Sequence, residues 1–224
     1  MRSKRPPSAV SAPPTHDEGT RARLLAAAGE LFAERGLRGA TVRAIAERAG
    51  ANVAAVNYHF GDKSRLYVEV MRSSFGEALA RHPTDGGLPA DAPVDERLRA
   101  FVRALLARAR GVGRPAWQGR LMAREMADPS AAIDVMVREG IAPEFERLLA
   151  IVRELLGPRV PAEAVALAAA SVVSQCLFWF FAEPVVARLP ALKPFREAAA
   201  TEAIARHVAE FSRAALARPK GRRR

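Results

Sequence analysis

Cysteine is nearly missing from this sequence. Cys176 is the lone one among 224 residues, which excludes an intrachain disulfide scaffold of the kind small secreted domains use. The opening stretch, MRSKRPPSAVSAPPTHDEG, has no apolar core of the sort a secretory signal needs, and the expected compartment is therefore the cytosol. Catalytic signatures are missing too. No HExxH, GxSxG or CxxC occurs, and His16, His59, His82 and His207 lie far apart in sequence. No metal site and no cofactor is expected, and the chain is not read as an enzyme. Gly111-Val112-Gly113-Arg114-Pro115-Ala116 matches GxGxxA, but it follows a helical pattern instead of a strand, so it is not read as a nucleotide site. The pairs Arg124-Glu125 and Arg153-Glu154 read as helix-surface charges, not as catalytic acids and bases.

What is present is a globular balance, with 50% hydrophobic and 26% charged residues. The formal net charge is +11, and most of it sits at the two ends. Arg2, Lys4 and Arg5 contribute +3, and Arg218, Lys220, Arg222, Arg223 and Arg224 contribute +5, leaving +3 on residues 6–217. Basic ends on a nearly balanced body fit an electrostatic partner such as nucleic acid. One uncharged run, Ala164–Ala182, has 19 residues, which is long enough to span a bilayer. It is Ala-rich, contains Ser171, Ser174 and Gln175, and has no Lys or Arg beside it. These features favour a helix buried on several sides over a membrane span.

No strand-like alternation persists, and the apolar spacing is helical nearly throughout. The expected organisation has five parts: a basic Pro/Ser-rich arm (1–19), a helical head (20–81), a Gly/Pro-rich linker (82–93), a second helical domain (94–217) and a basic tail (218–224). About nine or ten helices are expected. Asp128-Pro129 is read as a helix cap, Pro143 as a kink or split, and the last helix as 195–217.

Residues 41–60, TVRAIAERAGANVAAVNYHF, carry the function. Thr41 and Asn52 can each cap a short helix, and Gly50 supplies the turn between them. Ile45, Ala46, Val56 and Phe60 face inward. This is the helix-turn-helix pattern, in which the second helix enters the DNA major groove. The stretch Thr20–Leu79 resembles the N-terminal domain of TetR-family transcriptional regulators. The resemblance rests on Leu31-Phe32, Gly36, Thr41, Ile45-Ala46, Ala49-Gly50, Tyr58-His59-Phe60 and Lys63 in order and spacing. NVAAVNYHF and LMAREMADPSAAIDVMVREGIAPEFERLL are similar to the CecR-type subgroup. The resemblance implies an all-α homodimer, with a head that binds a double-stranded DNA operator. A variable helical domain would then bind a small-molecule inducer and dimerise.

Thr41, Arg43, Tyr58, His59 and Lys63 suit phosphate contacts, which position a protein without reading sequence. Asn52, Ala54, Ala55 and Asn57 are the expected base-facing residues. No Arg or Lys lies between Asn52 and Phe60, so the commonest guanine reader is missing and A·T pairs are expected at the contacted positions. The arm residues Arg2, Lys4 and Arg5 could add a minor-groove or backbone contact. Trp117, Arg124, Gln175 and Trp179 are polar or aromatic side chains on otherwise apolar helices, and are the expected ligand contacts. Helices 164–182 and 195–217 carry surplus apolar surface and are the expected dimer bundle. Two other classes compete: a helical-bundle carrier or enzyme with a structural N-terminal motif, and a sequence-independent architectural DNA binder.

Overall fold

Side-chain caps set the helix starts of the N-terminal part. A computed structural model describes residues 16–217; Arg2, Lys4, Arg5 and the basic stretch 218–224 lie outside the described residues. Helix α1 (His16–Gly39) is interrupted at Gly36, whose φ of 72° leaves helical space. Thr41 then caps α2 (Val42–Arg48), its hydroxyl accepting from the Ala44 amide at 3.2 Å. Gly50, at φ 59°, turns the chain into α3 (Val53–Phe60), which Asn52 caps by accepting from the Ala54 amide at 3.0 Å. Asp62 caps α4 (Lys63–Arg81) through the Arg65 amide at 2.8 Å. Each cap satisfies an amide that the first helical turn cannot.

No helix occurs in residues 82–93. Beyond them come α5 (Val94–Ala109), α6 (Ala116–Ala127), α7 (Ala131–Met136), a π turn (Val137–Ile141) and α8 (Ala142–Leu156). Then follow α9 (Ala162–Phe181), the single turn α10 (Glu183–Val186), two short 3-10 turns and α11 (Thr201–Leu216). There is no strand among the described residues, so the expected all-α class holds.

Two apolar cores organise these helices. The first joins Leu24, Leu31 and Phe32 of α1 to Ile45 and Ala46 of α2, Val56 and Phe60 of α3, and Leu66, Tyr67, Val70 and Met71 of α4. It also takes in Leu121 of α6 and Ala132 and Met136 of α7. The head is therefore closed by residues from the second half of the chain. The second core packs Leu98, Phe101, Val102 and Leu106 of α5 against Leu148 and Val152 of α8, Val165, Ala169 and Val172 of α9, and Val208 of α11.

Four local expectations need correction, and one is met. Asp128 closes α6, and Ser130 is the true cap of α7, accepting from the Ala132 amide at 3.1 Å. The expected split at Pro143 is met: Pro143 sits in the first turn of α8, directly after the element that separates α8 from α7. The break before it is a π turn, closed by a bond from the Ala142 amide to the Val137 carbonyl. The last helix begins at Thr201, because 3-10 turns at Lys193–Phe195 and Ala198–Ala200 occupy the segment before it. Glu125 is not a surface charge: it is 1% exposed. Helix α9 is buried along one stripe, Val165, Ala169, Val172 and Cys176, and not on several sides. It is long and apolar enough to cross a membrane, yet only 22% of its apolar window is buried within the chain.

Candidate nucleic-acid interface and ligand cavity

The two short helices of the head are held from behind. The Arg48 guanidinium donates to both Glu34 carboxylate oxygens, at 3.1 and 3.3 Å, and holds that carboxyl below its ordinary pKa. Arg23 Nε donates to the Ala49 carbonyl at 3.2 Å, satisfying the end of α2. Arg21 lies over the Phe60 ring at 5.3 Å and reaches Glu69 at 3.1 Å. These contacts fix α2 and α3 against α1 and leave the outer face of α3 uncovered. On that face Val53, Ala54, Asn57 and Tyr58 are exposed, Tyr58 most of all at 78%.

The expected DNA residues do not all stand free. Thr41, Arg43, Asn57 and Tyr58 are exposed. Ala55 is half-buried against the first core, and the Asn52 carboxamide oxygen is engaged by its cap. The His59 side chain is 7% exposed, with Nε2 3.4 Å from Asp17 Oδ1. Its ring lies 5.1 Å from Tyr58 and 5.9 Å from Phe60. Lys63 Nζ donates to the carbonyls of Ala40 at 3.0 Å and Arg38 at 3.4 Å. Those carbonyls terminate α1, so Lys63 ties α4 to the α1–α2 joint. An ammonium has three donors, and one remains for an outside acceptor.

The expected ligand residues do not converge either. Trp117 packs its ring against Gly29 of α1, where an added Cβ would stand 2.4 Å from Cη2. Arg124 Nη2 donates to the Glu34 carbonyl at 3.3 Å, beside the break at Gly36. Both residues dock α6 on α1. Gln175 Nε2 donates to Ser212 Oγ at 3.2 Å and pins α9 to α11. Trp179 packs edge-on to Phe178 and Phe195, at 5.5 and 6.1 Å. In sequence these side chains stand out on apolar helices. Trp117, Arg124 and Gln175 contact neighbouring helices, and Trp179 packs on its own helix and on the 3-10 turn that ends at Phe195.

An apolar cavity lies elsewhere, between α4, α5, α6, α8 and α9. It measures about 210 Å³ and none of those four residues lines it. Its walls are aromatic and aliphatic, with Phe75 and Ala78 from α4, Phe101 and Leu105 from α5, Met122 and Met126 from α6, and Phe180 from α9. Three charged side chains enter it: Arg108, Arg114 and Glu144. Larger concavities of about 730 and 420 Å³ are more open and have charged rims, including Arg21, Arg65 and Arg72 in one and Arg81 and Arg103 in the other. Arg108 carried a usable signal in the sequence. It falls seven residues after Phe101, on the inward stripe of α5, and is 8% exposed.

Cavity and head share structure. Helix α4 contributes Phe75 and Ala78 to the cavity, and Leu66, Tyr67 and Val70 to the head core. Tyr67 Oη donates to Glu125 Oε2 at 2.7 Å, and the other oxygen of Glu125 accepts from the Ser130 amide at 2.9 Å. One buried carboxylate thus links α4, α6 and the start of α7. Burial and this carboxylate push the Tyr67 phenol above its ordinary pKa. The π turn is fixed to α4 as well. Gly140 lies against Phe75, where a Cβ would stand 2.2 Å from Cε1, and Arg72 donates to both oxygens of Glu139, at 2.7 and 3.1 Å.

A head of two short capped helices, backed by a third and joined to an all-helical second half, defines a helix-turn-helix protein. Comparison with known proteins agrees. Residues 24–70 match the family described as bacterial regulatory proteins, tetR family. Residues 94–217 match the HTH-type transcriptional dual regulator CecR, C-terminal domain. The chain belongs to the TetR family, with a C-terminal half of the CecR kind. An HTH-type transcriptional dual regulator CecR from Shigella flexneri is 30% identical over 150 residues, covering 62% of this chain and 66% of the relative. An HTH-type transcriptional repressor KstR2 from Rhodococcus jostii is 36% identical over 77 residues, covering 33% and 38%. The chain thus spans less than two thirds of the length of these relatives. The TetR family transcriptional regulator PfmR from Thermus thermophilus shares the fold at TM-score 0.62 and 21% identity, covering 90% of this chain and 98% of that one.

Proposed function

We propose that this protein is a sequence-specific transcriptional regulator, a repressor that binds a palindromic DNA operator as a homodimer and is released by a small molecule. The observation that carries this reading is the uncovered outer face of α3 on a head whose α4 runs on into the wall of the ligand cavity. Asn57 and Ala54 stand where bases would be read, with Thr41, Arg43, Tyr58 and Lys63 around them for phosphates. Asn52, Ala55 and His59 would contribute chiefly by holding α3 in position. No Lys or Arg occurs on α3, which favours A·T readout.

The dimer reading is supported by α9 and α11. Leu167 and Phe211 are 71% and 59% exposed, too much apolar surface for a lone chain to keep in water without consequence. The hydroxyls of Ser171 and Ser174 fold back onto the carbonyls of Leu167 and Ala170, at 2.9 and 2.8 Å. Small residues with satisfied polar groups let a second α9 approach closely. Release would follow if a ligand moves the cavity wall and α4 carries that motion to the head. Only differential affinity for the two arrangements can shift their balance. Footprinting on genomic fragments tests the reading. A discrete two-fold protected site, lost when α3 carries Asn57→Ala with Tyr58→Ala, supports it; uniform protection of all DNA refutes it.

A further inference from the structure

The ligand cavity holds more positive charge than its own residues neutralise. Arg108 Nη1 donates to the His82 carbonyl at 3.1 Å and to Glu144 Oε2 at 3.3 Å. Glu144 is shared, because Arg147 approaches its other oxygen at 3.6 Å. Arg114 enters from the segment between α5 and α6 with one Nη donating to the Arg108 carbonyl. Its Nε is buried and has no hydrogen-bond partner, and no ion pair to Arg114 exists among the described residues. Burial, then the neighbouring Arg108 and Arg81, pull its guanidinium below the ordinary pKa, against a smaller opposing pull from the Glu77 carboxylate. A buried donor without an acceptor is costly, and more so when charged.

Resting on the ligand reading above, we propose that the occupant is a small monoanion: one carboxylate, accepted by Arg114 at the charged end, on an apolar ring or short chain packed among Phe75, Phe101, Phe145 and Phe180. A guanidinium presents a planar fork suited to a carboxylate. A cationic ligand is disfavoured, since two arginines face the cavity and its one carboxylate already serves Arg108 and Arg147. The volume of about 210 Å³ is below the roughly 300–1,000 Å³ of sites for drug-sized molecules. A single ring or a short chain matches that volume.

Calorimetric titration of the full-length protein with phenylbutyrate and with phenylbutanol tests the proposal, the two probes differing in charge but little in shape. The carboxylate is expected to bind about tenfold or more tightly than the alcohol. Arg114→Gln is expected to abolish that preference and leave the alcohol unchanged, which shows that the cavity is intact. Equal binding of the two probes, a preference that survives Arg114→Gln, or no binding of either overturns the anion assignment. Val173→Trp, which fills the cavity, separates this failure from a failure of the ligand reading. If neither probe binds but the filled variant loses operator affinity, the cavity still controls the head and only the anion is wrong. If the filled variant also binds the operator normally, both readings fall.

Discussion

Replacing Tyr67 by Phe removes one hydroxyl from a buried polar contact. Tyr67 Oη donates to Glu125 Oε2 at 2.7 Å, and Glu125 is 1% exposed. Hydrogen bonds to charged groups contribute about 1.5–3 kcal/mol. After the change the carboxylate keeps the Ser130 amide and hydroxyl, both at 2.9 Å, so it is weakened and not orphaned. The loss should fall within that range, which for a chain of this size lowers Tm by about 3–12 °C, at roughly 2–4 °C per kcal/mol. Apolar packing is preserved, because the ring still meets Phe32 edge-on at 5.0 Å. The pH dependence has a definite sign. The folded-state pKa of Tyr67 is raised, so its contribution is complete below the unfolded value of about 10. It is lost as the pH rises through the higher folded value, where the unfolded state releases the proton first. Urea melts of both proteins from neutral to alkaline pH provide the assay. Wild type should lose stability above about pH 10 more steeply than Tyr67→Phe. A variant within about 0.5 kcal/mol of wild type, with an unchanged alkaline slope, would refute the reasoning.

Other outcomes follow from single contacts. Gly29→Ala should destabilise, although alanine favours a helix by about 1 kcal/mol, because its Cβ would meet the Trp117 ring at 2.4 Å. In a Trp117→Ala background the same change should stabilise, and thermal melts of the four proteins read the reversal of sign. Burial pushes the Cys176 thiol up to about 12, so the native protein should resist a thiol-specific reagent at neutral pH and react only on unfolding. Leu167→Glu with Phe211→Glu should yield a folded monomer by sedimentation velocity, since both side chains are exposed in the single chain; a dimer that survives both changes places the interface elsewhere.

The N-terminal part of the fold was readable because it is local. Thr41, Asn52 and Asp62 each cap within three residues, and Gly50 turns where the pattern placed it. The cavity was not readable because it is assembled from distant parts. Phe75, Arg114 and Phe180 belong to different segments and carry no shared spacing. Trp117 and Gln175 looked out of place on apolar helices, yet their partners are other helices. Spacing along one element cannot distinguish a side chain that fills a neighbour's groove from one that lines an empty space. Glu125 misled for the same reason: beside Arg124 it resembles a surface pair, and its true partner, Tyr67, lies 58 residues away.

An α3-centred head, presented twice, is expected to read a two-fold DNA site. Selection of binding sites from random duplex DNA, followed by footprinting on the winner, tests it most directly. The expected winner is an inverted repeat with A·T pairs at the positions that Asn57→Ala relaxes, and half-site centres about 34–36 Å apart. Lys63→Ala should weaken every site alike. An enriched sequence without two-fold symmetry, or no enrichment at all, would contradict it.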